Sequence, residues 1–481
     1  MPAAQQPAPS GPPPEPELPL HFRSALALAH AIRTDETDSR ALTRLFLDRI
    51  ERGSGLRAFM HVAEERARAL AEAADRLLAA GIVLSPFHGV PVAIKDSIAW
   101  EGTPLTGGSL ARADCISDRT SAVVRRLIAN GMVVLGKTGM TEFAFGLSGQ
   151  NPTCGTARNP WDALNDRAPG GSSSGSGVAV AAGLAPIAIG GDTGGSVRAP
   201  ALMNHLVGYK PSSGLVSRAG CLPLSPTLDV LGPIARTVED ARTLTAMLTG
   251  PDSGDPATLA PQPTSMPPGT RRVAVLAEEA WPVPMHPEAA EHWRRALGRV
   301  AGAGWTLETW SPPAILDFDR LGRDNSTVLA HEAYQRYGAL ARDETAPLWS
   351  VIRARIRAGA EVGDADYVAA LERRKAVGAR FAREMASVAG LLMPGSDQSA
   401  RTLDPEDERH AGLGAFLRPA NFLGAAAITL PTSRDSDGIP LGLQLLTPHG
   451  TDASLLTVAS ALEGALGARR PVPDLGPWGL T

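Results

Sequence analysis

Two serine-bearing glycine clusters lie within residues 170–201, GGSSSGSGVAVAAGLAPIAIGGDTGGSVRAPA, with Ser172 and Ser196 24 positions apart. The second cluster is a tight glycine turn that follows an apolar strand-like run. Consecutive glycines in such a turn allow positive φ and expose backbone N–H groups, which an oxyanion hole requires. A flexible Ser/Gly linker is the alternative interpretation. The flanking VAVAAG and APIAIG runs are typical of a buried core, so the pattern favours a catalytic or anion-binding site.

A nucleophilic serine needs a base, and neither cluster has a histidine nearby. The chain has four lysines against 42 arginines, and only lysine can lose its proton near neutral pH. Lys95 ends the apolar run PVAIK, where burial would lower its pKa and provide a free amine. The alternative is a lysine at a strand end paired with the adjacent Asp96. A Ser-x-x-Lys arrangement is excluded, because no lysine has a serine three positions before it.

Two apparent motifs do not fit the chemistry they suggest. Residues 131–138, GMVVLGKT, match the phosphate-binding pattern GxxxxGK[ST]. However, Met-Val-Val-Leu favours a strand over a flexible phosphate-binding turn. GSSSG at 171–175 matches the GxSxG nucleophile elbow centred on Ser173. That elbow needs a strand directly upstream, and RNPWDALNDRAPG does not form one.

Alternating strand and helix patterns predict an α/β sandwich around one large sheet. Helical spacing dominates from about residue 20 to 80, and PVAIK, MVVLG and APIAIG are short, bounded apolar runs. Thr237 and Gly250 bracket a predicted helix, 285–385 is mostly helical, and 417–446 predicts helix, strand, turn, strand. Residues 251–270 are predicted to form a surface linker.

The composition excludes several functional classes. The 481 residues carry a formal charge of −4 and three cysteines, which argues against a nucleic-acid-coating surface and a disulfide framework. The N-terminal sequence lacks a basic start and an apolar run, and no stretch is long enough for a membrane helix. We therefore expect a cytoplasmic protein that binds neither nucleic acid nor membrane. Its Pro-rich residues 1–19 are predicted to be a disordered tail.

At this point the sequence resembles the amidase signature family of Ser–cis-Ser–Lys hydrolases. The similarity covers roughly residues 20–470 and rests on GGSSSGSG…GGDTGGSVRAPA with PVAIKD, GKTGMTEFAFG, NPWD, GYKPSSGLVS and DGIPLGLQLL in family order. The resemblance implies a single large mixed β-sheet covered by helices on both faces. It implies one amidase domain at 20–475, with a catalytic core at about 60–250 and 415–470 and a variable substrate-binding region at about 271–410.

The resemblance also assigns roles to individual residues. It implies that Ser196 is the nucleophile, that Ser172 follows a cis peptide bond and relays protons, and that Lys95 is the ultimate base. The implied oxyanion donors are the backbone N–H groups of Thr193, Gly194, Gly195 and Ser196. Ser173, Asp192 and Arg198 are implied to support the turn. No metal or organic cofactor is implied.

The implied activity is hydrolysis of a carboxamide C–N bond in a small or aryl amide through an acyl-enzyme, with possible ester or carbamate turnover. One alternative is a carbamate, biuret or allophanate-type hydrolase. Another is the glutaminase component of a tRNA-dependent amidotransferase (its A subunit), which releases ammonia from glutamine. Gly191, Gly139 and Ser213 depart from the residues common in the family, which bears on the substrate pocket. By family analogy the chain forms a homodimer.

Overall fold

A computed structural model describes residues 18–258, 270–404, 411–467 and 471–480. The predicted tail, except for Leu18 and Pro19, lies outside these ranges, and so do residues 259–269 of the predicted linker. No helix in the described ranges is long and apolar enough to cross a membrane.

Eleven strands in the described ranges form one mixed sheet in the order β1-β3-β2-β4-β6-β5-β10-β11-β9-β7-β8. The strands are β1 (Phe59–Val62), β2 (Pro91–Lys95), β3 (Val133–Thr138), β4 (Ala188–Asp192), β5 (Val207–Lys210), β6 (Val230–Ala235), β7 (Arg272–Leu276), β8 (Thr306–Trp310), β9 (Leu391–Pro394), β10 (Ala426–Arg434) and β11 (Pro440–Thr447). The variable region at 271–410 contributes β7, β8 and β9, so it extends this sheet and does not form a separate one.

Thirteen α-helices accompany the sheet in the same ranges. They are α1 (Ala25–Arg33), α2 (Ser39–Arg52), α3 (Glu64–Ala79), α4 (Ala122–Ala129), α5 (Ser174–Ala181), α6 (Arg198–Met203), α7 (Val238–Leu248), α8 (Pro287–Gly302), α9 (Phe318–Arg342), α10 (Ser350–Ala358), α11 (Asp364–Glu384), α12 (Ala411–Phe422) and α13 (Asp452–Ala465).

Helices cover both faces of the sheet, as expected. Successive strand residues point to opposite faces, and β7 illustrates the result. Val273 and Val275 join a core cluster with α1–α5, α7, α8 and α13. Ala274 and Leu276 join a second cluster with α9, α11 and α12. The predicted single mixed sheet between two helical layers is therefore confirmed.

Most local predictions hold, with one correction. Residues 133–138 form β3 instead of a phosphate-binding turn, Thr237 caps α7, and the 436–438 turn joins β10 to β11. The prediction that helical spacing dominates from about 20 to 80 omits β1 (Phe59–Val62). This four-residue strand alternates half-buried with exposed side chains at the sheet edge, so it lacks the continuous apolar run of a central strand.

The parallel pairing of β2 with β4 positions the two predicted chemical centres. Ala93 and Ile94 pair with Ala188 and Ile189, so Lys95 at the end of β2 lies beside the end of β4. The carboxyl ends of adjacent parallel strands meet at the same edge of a sheet, where α/β proteins form their ligand sites. The glycine turn that follows β4 therefore begins next to Lys95.

A buried ion pair fixes that turn to the rest of the molecule. Arg198 Nε and Nη2 donate to the two carboxylate oxygens of Asp192, both at 3.0 Å. The same guanidinium donates to Leu417 O (2.8 Å), Gln444 Oε1 (3.1 Å) and Asn421 Oδ1 (2.6 Å). Both side chains of the pair are fully buried. Arg198 thus joins β4 and α6 to α12 and β11, far apart in sequence.

We predict that Arg198→Met lowers the free energy of unfolding by about 3–5 kcal/mol, because it leaves the buried Asp192 carboxylate without its counterion. Urea unfolding followed by circular dichroism measures the change. Arg68→Met is the control, since Arg68 pairs with Glu64 on an exposed helix surface. That control should cost less than about 1 kcal/mol. Equal effects of the two substitutions would contradict the role assigned to the buried pair.

Candidate active site

Lys95 contacts the first serine cluster directly. Its Nζ donates to Ser172 Oγ at 2.7 Å and to Gly191 O at 3.4 Å. The lysine is 1% exposed. The peptide bond between Gly171 and Ser172 is cis. The structure therefore brings together a lysine and a serine that are 77 positions apart in the chain.

The environment of Lys95 favours its neutral form. Burial lowers the pKa of Lys95 to about 7, against a smaller upward effect of the Asp229 and Asp192 charges. An amine with this pKa is populated in its proton-accepting form at neutral pH, which suits a general base. Asp229 is partly buried, and desolvation raises the pKa of its carboxyl.

Asp96 does not pair with Lys95, which removes the alternative interpretation of this lysine. Asp96 Oδ1 lies 3.3 Å from Lys137 Nζ, and both side chains are buried. Asp96 Oδ2 accepts hydrogen bonds from the backbone and hydroxyl of Thr106. Asp96 and Lys137 thus form a separate structural pair, and Lys95 faces the serines.

The two serine clusters are joined through Ser173. Its backbone N–H donates to Ser196 O at 3.2 Å. Its hydroxyl accepts from Gly191 N (3.2 Å) and donates to Gly191 O (3.3 Å). The Ser173 side chain is therefore occupied with the backbone of β4, which fits a supporting role. Ser196 is 2% exposed and immediately precedes the segment that enters α6.

The 192–196 turn is shaped by Asp192 and by one glycine. Asp192 Oδ1 accepts from Gly195 N at 2.7 Å, and Oδ2 accepts from Val197 N at 3.1 Å. Burial opposes the charge of Asp192, but Arg198 holds the pKa of that carboxyl well below its usual range. Gly195 has φ of 124°, and a Cβ there would lie 2.7 Å from Leu417. A side chain at this position would thus be strained and crowded.

The hydrogen bond of Gly195 differs from the prediction for the oxyanion hole. Its N–H is directed to Asp192 and not to a substrate position. In the described part of the chain, the N–H groups of Thr193, Gly194 and Ser196 donate no hydrogen bond. These three groups therefore remain as candidate oxyanion donors.

A cavity of about 300 Å³ opens beside Lys95. Gly191, Thr193 and Asp229 line it together with a mostly apolar wall that includes Leu222, Leu224, Val230 and Leu231. A Cβ added at Gly191 would lie 3.9 Å from Lys95 Nζ, an ordinary contact distance. The absence of a side chain at Gly191 thus keeps this part of the cavity open.

Sequence reasoning missed three residues that hold the turn. Asp229 accepts from Thr193 Oγ1 at 2.6 Å. Asn421 Nδ2 donates to Asp192 O and Oδ1 at 3.0 and 2.9 Å, and Gln444 accepts from Arg198. A usable signal existed for Asn421 and Gln444, because each is a polar residue within an apolar run, ANFLG and LGLQLL. The large majority of such residues, when buried, have hydrogen-bond partners.

Comparisons with known proteins agree with this geometry. The family model described as amidase matches residues 41–456. A curated relative from Acidothermus cellulolyticus, the A subunit of glutamyl-tRNA(Gln) amidotransferase, is 35% identical over 92% of this chain and 94% of its own length.

Two solved structures share the fold over almost their whole length. One is an inhibitor-bound complex related to the evolutionary origins of an s-triazine catabolic enzyme, with a TM-score of 0.85 and 28% identity over 93% of this chain and 100% of its own. The other is peptide amidase from Stenotrophomonas maltophilia, with a TM-score of 0.81 and 28% identity over 94% and 99% of the two chains. The buried lysine beside the serine clusters and the shared sheet agree with the family match. The chain therefore belongs to the amidase family, the amidase-signature enzymes.

Proposed function

We propose that this chain hydrolyses the C–N bond of a small amide through an acyl-enzyme on Ser196, with Ser172 as proton relay and Lys95 as base. The observation that carries the proposal is the 2.7 Å contact between Lys95 Nζ and Ser172 Oγ. A buried amine with a pKa of about 7 that is hydrogen-bonded to one serine can accept, through that serine, the proton of a second serine.

In the proposed reaction, Ser196 Oγ attacks the amide carbonyl carbon. The hydroxyl proton passes to Ser172 Oγ, and Ser172 passes its own proton to Lys95. The N–H groups of Thr193, Gly194 and Ser196 stabilise the oxyanion, a contribution of about 3 kcal/mol for one such donor. As the C–N bond breaks, the proton returns through Ser172 to the leaving nitrogen. Water then attacks the ester carbonyl by the same relay and releases the carboxylic acid and Ser196.

The cavity beside Lys95 supports a small or aryl amine portion in the substrate. Its volume of about 300 Å³ is at the lower end for small-molecule sites, and much of its wall is apolar. The leaving nitrogen must receive a proton from the Ser172–Lys95 relay, so the amine portion lies on the Lys95 side. Arg218, the guanidinium in this cavity, is already paired with Asp255, which disfavours it as a free anchor for an amino-acid carboxylate.

A second candidate is the glutaminase component of a tRNA-dependent amidotransferase. The named curated relatives favour this alternative over a free-standing small-amide hydrolase. The departures at Gly139, Gly191 and Ser213 and the apolar cavity favour the hydrolase. A carbamate, biuret or allophanate-type substrate is supported by the likeness to the s-triazine-related structure, since the same acyl transfer serves all these carbonyls.

We predict that a fluorophosphonate probe labels Ser196 and that Lys95→Ala slows labelling by about 10²- to 10⁴-fold, because the base is removed. Peptide mass mapping identifies the labelled residue. Ser173→Ala is the matched control, since Ser173 contacts only backbone atoms through its hydroxyl. Label on Ser173, or labelling indifferent to Lys95, would contradict the proposed triad.

The pH dependence of kcat/KM should report the pKa of Lys95. The base acts only as the neutral amine, so kcat/KM should rise about tenfold per pH unit on the acidic side and level off above the pKa; that pKa is about 7. Asp229→Asn removes a negative charge that favours the ammonium form, so the rising limb should move to lower pH. Asparagine still offers an oxygen to Thr193. An unchanged or upward-shifted limb in this variant would contradict the electrostatic assignment.

Acetanilide and L-glutamine distinguish the two candidate functions. We expect the isolated chain to release aniline from acetanilide and to lack glutaminase activity, because the cavity is small and mostly apolar. Product release is followed by chromatography, with Ser196→Ala as the blank. Glutaminase activity that appears only when a co-purified partner complex is added would overturn this expectation and favour the amidotransferase component.

A further inference from the structure

One wall of the cavity beside Lys95 is a short segment between β5 and β6. Residues 222–229, which we call the wall segment, end where β6 begins and contain neither helix nor strand. A segment without the backbone pairing of a helix or sheet depends on bonds from its neighbours to keep its shape. The elements that bond the wall segment therefore determine how far it projects into the cavity. Its lining residues are Leu222, Pro223, Leu224, Pro226 and Asp229.

Glu332 of α9 holds the side of the wall segment that faces away from the cavity. Its Oε2 accepts from Ser225 Oγ and from Thr227 N at 3.1 Å, and its Oε1 accepts from Thr227 Oγ1. The neighbouring Leu224 and Pro226 line the cavity, whereas Ser225 and Thr227 do not. One carboxylate of the variable region thus bonds the back of the cavity wall.

The Glu332 carboxylate is itself held in place from α11. Tyr367 OH donates to Oε1 at 2.7 Å, so four donors of the described residues converge on one side chain. A carboxylate only accepts hydrogen bonds and offers two oxygens, so it satisfies these donors together. An apolar side chain here would leave the buried Ser225 hydroxyl without its acceptor. The bonds therefore fix the wall segment relative to α9 and α11.

The wall segment is also bonded to α9 at Pro223 and to the oxyanion turn at Asp229. Tyr337 OH, on α9, donates to Pro223 O at 2.6 Å. Asp229 accepts from two backbone N–H groups of the segment, at 2.9 and 3.1 Å, and from Thr193 Oγ1 at 2.6 Å. The wall segment thus lies between the turn and a helix of the variable region, and its distance from the cavity depends on both.

We propose that Glu332 is a positioning residue that selects amides with an aryl amine portion, by holding the wall segment against that portion. This inference rests on the proposed acyl-enzyme function, which assigns the amine portion to the cavity beside Lys95. Leu222, Leu224 and Pro226 present apolar groups to that cavity, and a gap of about 0.5–1 Å forfeits roughly a quarter to a half of a dispersion contact. Loosening the wall therefore weakens the binding of an aryl ring, but not that of a leaving ammonia, which has no group to contact the wall.

Acetanilide and acetamide test the inference, because they share the acyl portion and differ in the amine portion. Glu332→Leu removes the acceptor and keeps a comparable side-chain size. We expect it to lower the ratio of the kcat/KM values for acetanilide and acetamide about tenfold, mainly through a higher KM for acetanilide. The kcat/KM for acetamide should stay at the wild-type value. An equal loss for both amides would overturn the inference.

Rescue by the conservative variant separates positioning from side-chain charge. Glu332→Gln keeps one oxygen for the Ser225 hydroxyl and the Thr227 N–H. Its NH₂ group can donate to the other hydroxyls around it, which accept as well as donate. This variant should therefore show the wild-type ratio, and a ratio as low as that of Glu332→Leu would contradict the hydrogen-bonded positioning of the wall.

Two further variants separate positioning from general stability. Asp324→Asn weakens a pair at 2.6 Å with Arg373 of α11, so it should lower Tm and keep the wild-type ratio. Thr227→Val removes one hydroxyl bond to Glu332 and should lower the ratio about threefold, which also tests the contact if Glu332→Leu does not fold. A wild-type ratio in Thr227→Val, or a fall in Asp324→Asn equal to that in Glu332→Leu, would overturn the inference.

Fluorophosphonate labelling distinguishes failure of the inference from failure of the proposed function. Acetanilide should protect Ser196 from the label, and Glu332→Leu should need about tenfold more acetanilide for the same protection. Labelling of Ser196 without this difference would overturn the role of Glu332 alone. Absence of both labelling and turnover in folded wild-type protein would overturn the proposed acyl-enzyme function, and the assignment of the amine portion would fall with it.

Discussion

The buried ion pair of Asp192 and Arg198 is the constraint on which the site depends. Asp192 uses both carboxylate oxygens to hold backbone N–H groups of the turn, and Arg198 ties that carboxylate to α12 and β11. A buried carboxylate is tolerated only with a counterion and satisfied oxygens. The turn, α12 and β11 therefore have to assemble together. The position of Ser196 relative to the sheet is a consequence of this assembly.

Two separate parts of the chain form the candidate site. Under the proposed function, the family motifs supply the base at the end of β2, the relay serine that it contacts and the turn that follows β4. The helices α9 and α12 come from outside this region and cover the turn, bringing Asn325 and Arg418 beside Gly194. The residues proposed for the chemistry that all amides share thus lie at the edge of the sheet, where backbone pairing holds them rigidly.

The sequence predicted the parts whose physics is local or whose motifs are specific. β2 and β4 were recognisable as apolar runs, and Lys95, Ser172 and Ser196 came from residue type and family resemblance. β1 was missed because a short edge strand has no strong periodicity of its own. Asp229 could not be found, since its hydrogen bond with Thr193 arises only when the fold brings the two residues together. Gly195 was placed in the predicted oxyanion hole by its neighbours in sequence, whereas Asp192 holds its N–H in the structure.

The open space beside Lys95 has a consequence for the energetics of substrate binding. The basicity of this amine depends on how completely it is withdrawn from solvent. An amide whose apolar amine portion fills the cavity displaces solvent from the same space and disfavours the ammonium form further. In the proposed reaction, a substrate that fills the cavity therefore keeps more of the lysine in its proton-accepting form than one that leaves water in the cavity. Discrimination between substrates is then expressed in the rate of bond cleavage as well as in affinity, and Gly191 determines how much room is available for it.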